Sequence, residues 1–464
     1  MSGKLGVINI GLQNFYEALI SQDVNAVQLD WRPPAKYSSG RSLPEKLRAK
    51  VLEATRKSAE SIIKSKPFWV DILPAIECVD GLTDHMIIHS GPPIEYNDMC
   101  ELHRRGMISG VLMEGWADNE QDAEQLILSG KIKIESALDH NTVGAGTGII
   151  TKSIAMIVIE DRNTGIRAAT FPAEGVQFQG GFCGWGLYSP EIAENLRYMR
   201  EEIFPVMREY IRQKDGLALK PILAESFQMG DENHTRQTAA DLLFIKQVIP
   251  ELMKMDADKQ DLLRALQYIT ETPRFFHCFG QGASRSALLG ASNIPYSGMV
   301  TAVCGNALEF GIKVSGLGDR WFTAPAPMLE GKFTSGKFKE EDRLPWIGDS
   351  CVVECAGMGG IAAAASPIVC RLRGMNCRDA VALTREMEQI CVAKNNNFPI
   401  PNLDFDFLPV GIDIFRVLET GITPEIHGGM FNRAGGLIGA GSARVPIECF
   451  EKAYDAFIEE YAHE

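Results

Sequence analysis

The stretch Ile154 to Phe171, IAMIVIEDRNTGIRAATF, limits the fold more than any other, because two strand-like runs joined by an Asn-Thr-Gly turn form a hairpin and hence antiparallel sheet. The chain opens with a different texture. In VINIGLQNFYEALISQDVNAVQLDW, the apolar runs Val7 to Ile10 and Val24 to Leu29 flank a helix-period segment with Phe15, Leu19 and Ile20 on one face. That alternation is a small βαβ unit. A parallel beginning followed by antiparallel pairing gives an α+β class in several domains: an N-terminal α/β domain, a mixed α+β second domain and a small helical insertion.

The boundaries follow from the remaining pattern. WRPP stops the second strand, since consecutive prolines remove ladder donors. An amphipathic helix is expected from about Ser42 to Ser65. FWVDILPAI and HMIIHSGPP read as further strands of the same sheet, and Asn119 to Leu128 as a helix closed by Gly130. Further helices are expected over Pro190 to Arg212 and, broken at Pro250, over His234 to Thr270. After Pro295 the chain is glycine-rich and weakly periodic until two helices, Cys377 to Lys394 and Pro446 to Tyr461. A length of 464 residues exceeds the roughly 250 to 300 at which single cores stop growing. The expected domains are residues 1–136 (α/β), 137–230 with 295–464 (α+β), and 231–294 (a helical module).

Charge and cysteines narrow the function classes. A formal charge of -14 without a run of Lys and Arg argues against nucleic acid as a partner. The N-terminus lacks the apolar run and small-residue site of an export signal. GMGGIAAAASPIVC is far shorter than the about 20 apolar residues of a span, so a buried helix is expected there and no membrane. Eleven scattered cysteines suit reduced thiols in the cytoplasm better than a disulfide frame.

Six segments combine polar chemistry with exposed backbone. Gly11 marks a tight turn that lacks dinucleotide spacing. DHNTVGAGTGII sets His140 and Asn141 beside Gly144 and Gly146, either a nest of N–H groups for phosphate or carboxylate oxygens or a close-packed turn. MGDENHTR places His234 and Arg236 before a helix, where Asp231 and Glu232 complement the macrodipole. In GIKVSGLGDRWF, the planar fork of Arg320 suits an anion, with Trp321 and Phe322 to exclude water; the plain alternative is an Asp319–Arg320 ion pair. WIGDSCVVECAGMGG puts Asp349 and Glu354 ahead of small residues, where carboxylates can hold or take a proton; the plain alternative is a tight helix contact. Near the C-terminus, His427 and the cluster Gly435, Gly436, Gly439 and Gly441 precede a helix, as a second anion nest or an extended linker. Cys351 and Cys355 have no second pair at zinc spacing, so no metal is expected, and no organic cofactor is called for.

VINIGL with VQLDWRPPA, MGDENHTR, GIKVSGLGDRWFTAPA, GDSCVVECAGMGG, PVGIDIFRVLETGITP and GLIGAGSARVPIECF resemble, over nearly the whole chain, the bacterial family typified by AllG and its relatives YlbE and YahG. The resemblance implies a subunit of oxamate carbamoyltransferase, acting with FdrA-like and AllH-like subunits. That enzyme exchanges a carbamoyl group between oxalurate and phosphate, giving oxamate and carbamoyl phosphate, in anaerobic allantoin breakdown. A homo-oligomer and a small anionic substrate are expected. For that chemistry, His140, His234, Asp349 and Glu354 are the candidate catalytic residues, and Arg320, Asn141, Gly144, Gly146, Arg236 and His427 the candidate anion binders. The DHNTVGAGTG, MGDENHTR and GLGDRWF segments are expected to meet in one pocket. The alternatives are a non-catalytic anion-binding or scaffold subunit, a paralogue acting on another amide or carbamoyl acceptor, and a stand-alone amidohydrolase.

Overall fold

A computed structural model describes residues 6–10, 13–29, 45–144, 146–174, 186–187 and 189–461; the Gly11 turn and the Trp31 to Pro34 break lie outside the described residues. The expected hairpin is formed by Ala155–Asp161 and Ile166–Thr170. Its turn is held by the Asp161 carboxylate, which accepts from the Asn163 N–H and the Thr164 hydroxyl, each at 3.0 Å, while Gly165 takes φ +77°. This hairpin is the centre of a five-stranded sheet in the order Thr142–Val143, Ile166–Thr170, Ala155–Asp161, Pro67–Pro74, Leu217–Ala218.

Pro67–Pro74, expected in one sheet with Met86–His89, pairs antiparallel with the hairpin instead. Met86–His89 pairs in parallel with Lys133–Ser136 in a separate two-stranded sheet. The local pattern of both strands was legible; their partners depend on distant residues, which periodicity does not report. The βαβ unit at the start, Gly6–Ile10 and Asn25–Leu29 around Gln13–Ile20, forms its own parallel pair.

After Pro295, where the sequence showed little period, the chain forms an antiparallel sheet in the order Phe322–Pro325, Glu309–Val314, Val300–Asn306, Ile347–Gly348. Every residue of Val300–Asn306 is buried. A strand covered on both faces does not alternate, so its sequence carries no strand period. Of the glycines near the C-terminus, Gly439 and Gly441 also lie in sheet, while Gly435 and Gly436 form the turn before that strand. Leu437–Arg444 runs between Glu330–Phe333 and Glu425–Phe431, and a Cβ at Gly441 would stand 2.1 Å from the Glu330 carbonyl oxygen. Gly439 and Gly441 therefore permit close strand approach rather than forming an anion nest or a linker. The helix expected over Cys377 to Lys394 ends at Glu388, and Lys394 belongs to the strand Cys391–Ile400.

Residues 231–294 contain three long helices, Thr238–Leu252, Lys259–Glu271 and His277–Ala291. The last packs on the five-stranded sheet and is buried almost all round. Gly282 allows this contact, for a Cβ there would lie 2.6 Å from Ile159 Cγ1. Around it, Trp69, Phe244, Phe275 and Phe279 interlock, with the Trp69 and Phe279 rings edge-on at 5.2 Å. One apolar core runs from Leu47 to Phe457. Among the described residues no helix is long and apolar enough to cross a membrane.

Candidate active site

The turn after the Lys220–Gln228 helix and the segment Gly348 to Gly360 build one constellation. In the turn, the buried Glu232 carboxylate accepts from the backbone N–H groups of His234, Thr235 and Arg236, the first and last at 3.1 and 2.8 Å. These bonds fix the backbone that carries His234. Its ring is buried, with Nδ1 2.7 Å from Glu354 Oε1 and Nε2 3.0 Å from Ser350 Oγ. Glu354, fully buried, also accepts from the N–H groups of His427 at 2.9 Å and Gly360 at 3.1 Å. With Oε1 already accepting from two main-chain donors, Nδ1–H donates to it as well, and Nε2 is left with its lone pair toward Ser350.

The glycines of CAGMGG serve this arrangement. A Cβ on Gly359, whose φ is +56°, would fall 2.1 Å from Glu354 Oε1 and 3.1 Å from His234 Cβ. The spacing GDSxxxE sets Ser350 and Glu354 four residues apart, the serine just before the short Val352–Cys355 helix and the glutamate within it, and both reach the same imidazole. A second carboxylate–imidazole pair lies alongside: His427 Nδ1 is 3.5 Å from Glu232 Oε2. The two pairs are cross-braced, since each histidine's backbone N–H donates to the other's carboxylate.

His234 and Ser350 form part of the wall of a cavity of about 370 Å³, within the range of about 300–1,000 Å³ usual for small-ligand pockets. Gly144 and Gly146 line it too, together with Arg274, His277, Gln281 and Trp346. Asp349 secures the glycine loop, accepting from the Gly144 N–H at 2.8 Å. Arg274 stands at the exposed edge and donates from Nη2 to the His234 carbonyl oxygen at 2.9 Å. Its Nη1 has no hydrogen-bond partner among the described residues, and its backbone takes φ +57°, a conformation that costs a non-glycine residue energy and collects at functional sites. His277 stacks on His234 with ring centroids 6.0 Å apart. Burial, then the nearby Arg274 and His234, push its pKa well below the ordinary value, so the ring is neutral.

Thus the structure brings His234, Glu354, Asp349, Gly144 and Gly146 together. It sends others elsewhere. His140 has Nδ1 2.6 Å from the Asp80 carbonyl oxygen and Nε2 2.7 Å from Glu135. Asn141 accepts from the Asp80 N–H at 2.9 Å and donates to the Cys78 carbonyl oxygen at 3.1 Å. Both fasten the loop and face a second, polar cavity of about 570 Å³ beside Asp139, Arg285, Lys313 and Asp319. The three segments therefore do not meet in one pocket. Arg320 borders neither cavity; it is half exposed, 3.9 Å from Glu460. Trp321 does not enclose it, donating instead to Asp139 at 2.8 Å and lying under Lys313. Arg236 is tied to Asp231 at 2.8 Å, and His427 supports Glu232 without lining the His234 cavity.

The sequence pattern does not single out Ser350, Arg274, His277 or Gln281. Ser350 stands in GDSCVVEC between two carboxylates, which carry the stronger chemical signal. In TPRFFHCFGQG the signal was an Arg and a His set among aromatics, an uncommon interruption of an apolar helix start.

An α+β protein with a carboxylate-oriented histidine on the wall of a cavity is the class that fold and site define. A model of the family described as oxamate carbamoyltransferase subunit AllG matches residues 132–350. The oxamate carbamoyltransferase subunit AllG of Escherichia coli (strain K12) is 34% identical over 414 residues, 88% of this chain and 98% of that one. The uncharacterized protein YahG of the same organism is 32% identical over 468 residues, 99% of this chain and 98% of that one. The crystal structure of a conserved protein of unknown function from Enterococcus faecalis V583 superposes with a TM-score of 0.85 at 31% identity, covering 89% of this chain and 99% of that one. This chain belongs to the AllG family.

Proposed function

We propose that this chain is the subunit of an oxamate carbamoyltransferase-type enzyme in which the carbamoyl group, the oxamate moiety and phosphate meet, and that the His234 cavity is that site. The observation that carries this is the fixed imidazole: His234 is oriented by a buried carboxylate at 2.7 Å and faces a cavity edged by Arg274. Carbamoyl transfer needs a group that moves a proton at the reacting nitrogen or oxygen, and anchors for two anions. His234 Nε2 supplies the first. Arg274 offers a donor fork for the oxamate carboxylate or phosphate, and Gly144 and Gly146, on the wall of the same cavity, offer a second place for an anion. Oxalurate and phosphate would give oxamate and carbamoyl phosphate, as a step in anaerobic allantoin breakdown, with FdrA-like and AllH-like subunits completing the enzyme.

The test is reconstitution with those two subunits and an assay of carbamoyl phosphate formed from oxalurate and phosphate. His234→Gln should assemble normally and lose turnover by about 10²- to 10⁴-fold, the usual weight of a general acid–base. Undiminished turnover would move the chemistry to another subunit and leave this chain a scaffold.

A further inference from the structure

Resting on that carbamoyl-transfer reading, we propose that Ser350 is a nucleophile and that transfer passes through a carbamoyl ester on its Oγ. Ser350, His234 and Glu354 stand as nucleophile, base and orienting carboxylate: Oγ to Nε2 is 3.0 Å and Nδ1 to Oε1 is 2.7 Å. A serine hydroxyl is a weak nucleophile until a base within hydrogen-bond reach takes its proton, and the base works when a third group fixes its tautomer. Both conditions are met here. Ser350 is the partly exposed member, on the cavity wall, while the other two are buried. The glycine at 359 and the main-chain donors of Gly360 and His427 hold Glu354 in place, so the geometry is built by the fold rather than by a passing rotamer.

The chemistry balances without a further reactant. Ser350 Oγ attacks the ureido carbonyl carbon of oxalurate as His234 Nε2 takes the hydroxyl proton. The bond from that carbon to the oxamate nitrogen breaks, and His234 returns the proton to the nitrogen, releasing oxamate. Hydrogen phosphate then attacks the carbamoyl carbon, the bond to Oγ breaks, and His234 passes the phosphate proton to Oγ. The products are oxamate, carbamoyl phosphate and free Ser350. Two half-reactions mean that phosphate and carbamoyl phosphate exchange with no oxamate present.

The experiment uses the assembled complex. Isotopically labelled phosphate is incubated with unlabelled carbamoyl phosphate, oxamate omitted, and exchange is followed; a parallel sample is acid-quenched after carbamoyl phosphate and its peptides are weighed. Wild type should exchange label and carry one carbamoyl mass on the Ser350 peptide. Ser350→Ala should lose both, with overall turnover down at least about a thousandfold and melting unchanged. Ser350→Cys should retain acylation as a thiocarbamate. Overall turnover with neither exchange nor adduct, or a Ser350→Ala complex as active as wild type, overturns the nucleophile and leaves the reaction standing. An aryl carbamate that acylates Ser350 in a complex lacking oxalurate activity keeps the nucleophile and overturns the reaction assigned above.

Discussion

Glu354 Oε1 accepts from His234 Nδ1 and from two backbone N–H groups, so its replacement probes electrostatics more than shape. Glu354→Gln keeps the volume and an acceptor oxygen but removes the charge that stabilises a protonated His234. Turnover should fall by about 10³- to 10⁴-fold with the fold retained, checked by kinetics and circular dichroism side by side. The neighbouring pair has a pH signature instead. Burial alone would lower the His427 pKa, yet the Glu232 carboxylate, with smaller contributions from the Glu354 and Glu425 charges, holds it above the ordinary value. Burial alone would raise Glu232, yet His427, His234 and the Arg236 N–H hold it below. A raised imidazole pKa stabilises the fold fully below the unfolded value of about 6.5, and that contribution is lost as pH rises through the folded one. A depressed carboxylate does so above about 4.3 and loses it as pH falls through the folded value. The pair therefore contributes most near pH 5 to 6, as an approximate window. There His427→Gln should cost about 3 kcal/mol or more, and the difference from wild type should shrink toward pH 9 in urea melts. A difference independent of pH would mean that the pair is not charged. At this scale the sequence was half informative: GDSCVVEC and MGDENHTR named His234 and Glu354, since they concentrate titratable groups beside glycines. Arg320 looked equally good by that criterion, but a guanidinium's value as an anchor depends on enclosure, and Lys313 takes the enclosed position.

Among the elements, the His277–Ala291 helix decides how closely the site approaches the main sheet, and its glycines are not equivalent. At Gly282 a Cβ would meet Ile159 Cγ1 at 2.6 Å, whereas at Gly290 the nearest atom is 3.6 Å away. Gly282→Ala should destabilise by about 1–3 kcal/mol through overpacking. Gly290→Ala should stabilise by about 0.5–1 kcal/mol, because alanine restricts the unfolded chain and fits the helix without contact strain. Equal effects in denaturant melts would count against this packing. The same contrast explains what was legible. The Ala155 to Thr170 hairpin and the helices near Asn119, Pro190 and Pro446 carry local signals in turn residues, caps and period. Val300–Asn306 and Leu437–Arg444 do not, because burial on both faces removes alternation from one and close strand approach fills the other with glycine.

Across the whole molecule, the question is whether residues 231–294 unfold as a module of their own. The apolar core argues against it: Cys278 on the His277–Ala291 helix belongs to the same continuous cluster as Cys304, Cys351, Cys355, Cys391 and Cys449. Each of these thiols is buried and, among the described residues, every cysteine is free. Burial also pushes the thiol pKa up, to about 12 for Cys278 and Cys449, so alkylation of the folded protein is suppressed twice, by access and by the lack of thiolate. Cys377 is exposed. Pulsed iodoacetamide across a urea series should therefore modify Cys377 at every concentration and the buried thiols in one shared transition, Cys278 included. An independent helical module would release Cys278 at lower urea than Cys304 and Cys351, which lie outside it in sequence. Because His234 sits in this segment while Ser350 and Glu354 lie beyond it, a common transition also means that the constellation is assembled and lost with the global fold. Early release of Cys278 would instead make His234 the mobile partner, and the activity should then decline with that first step.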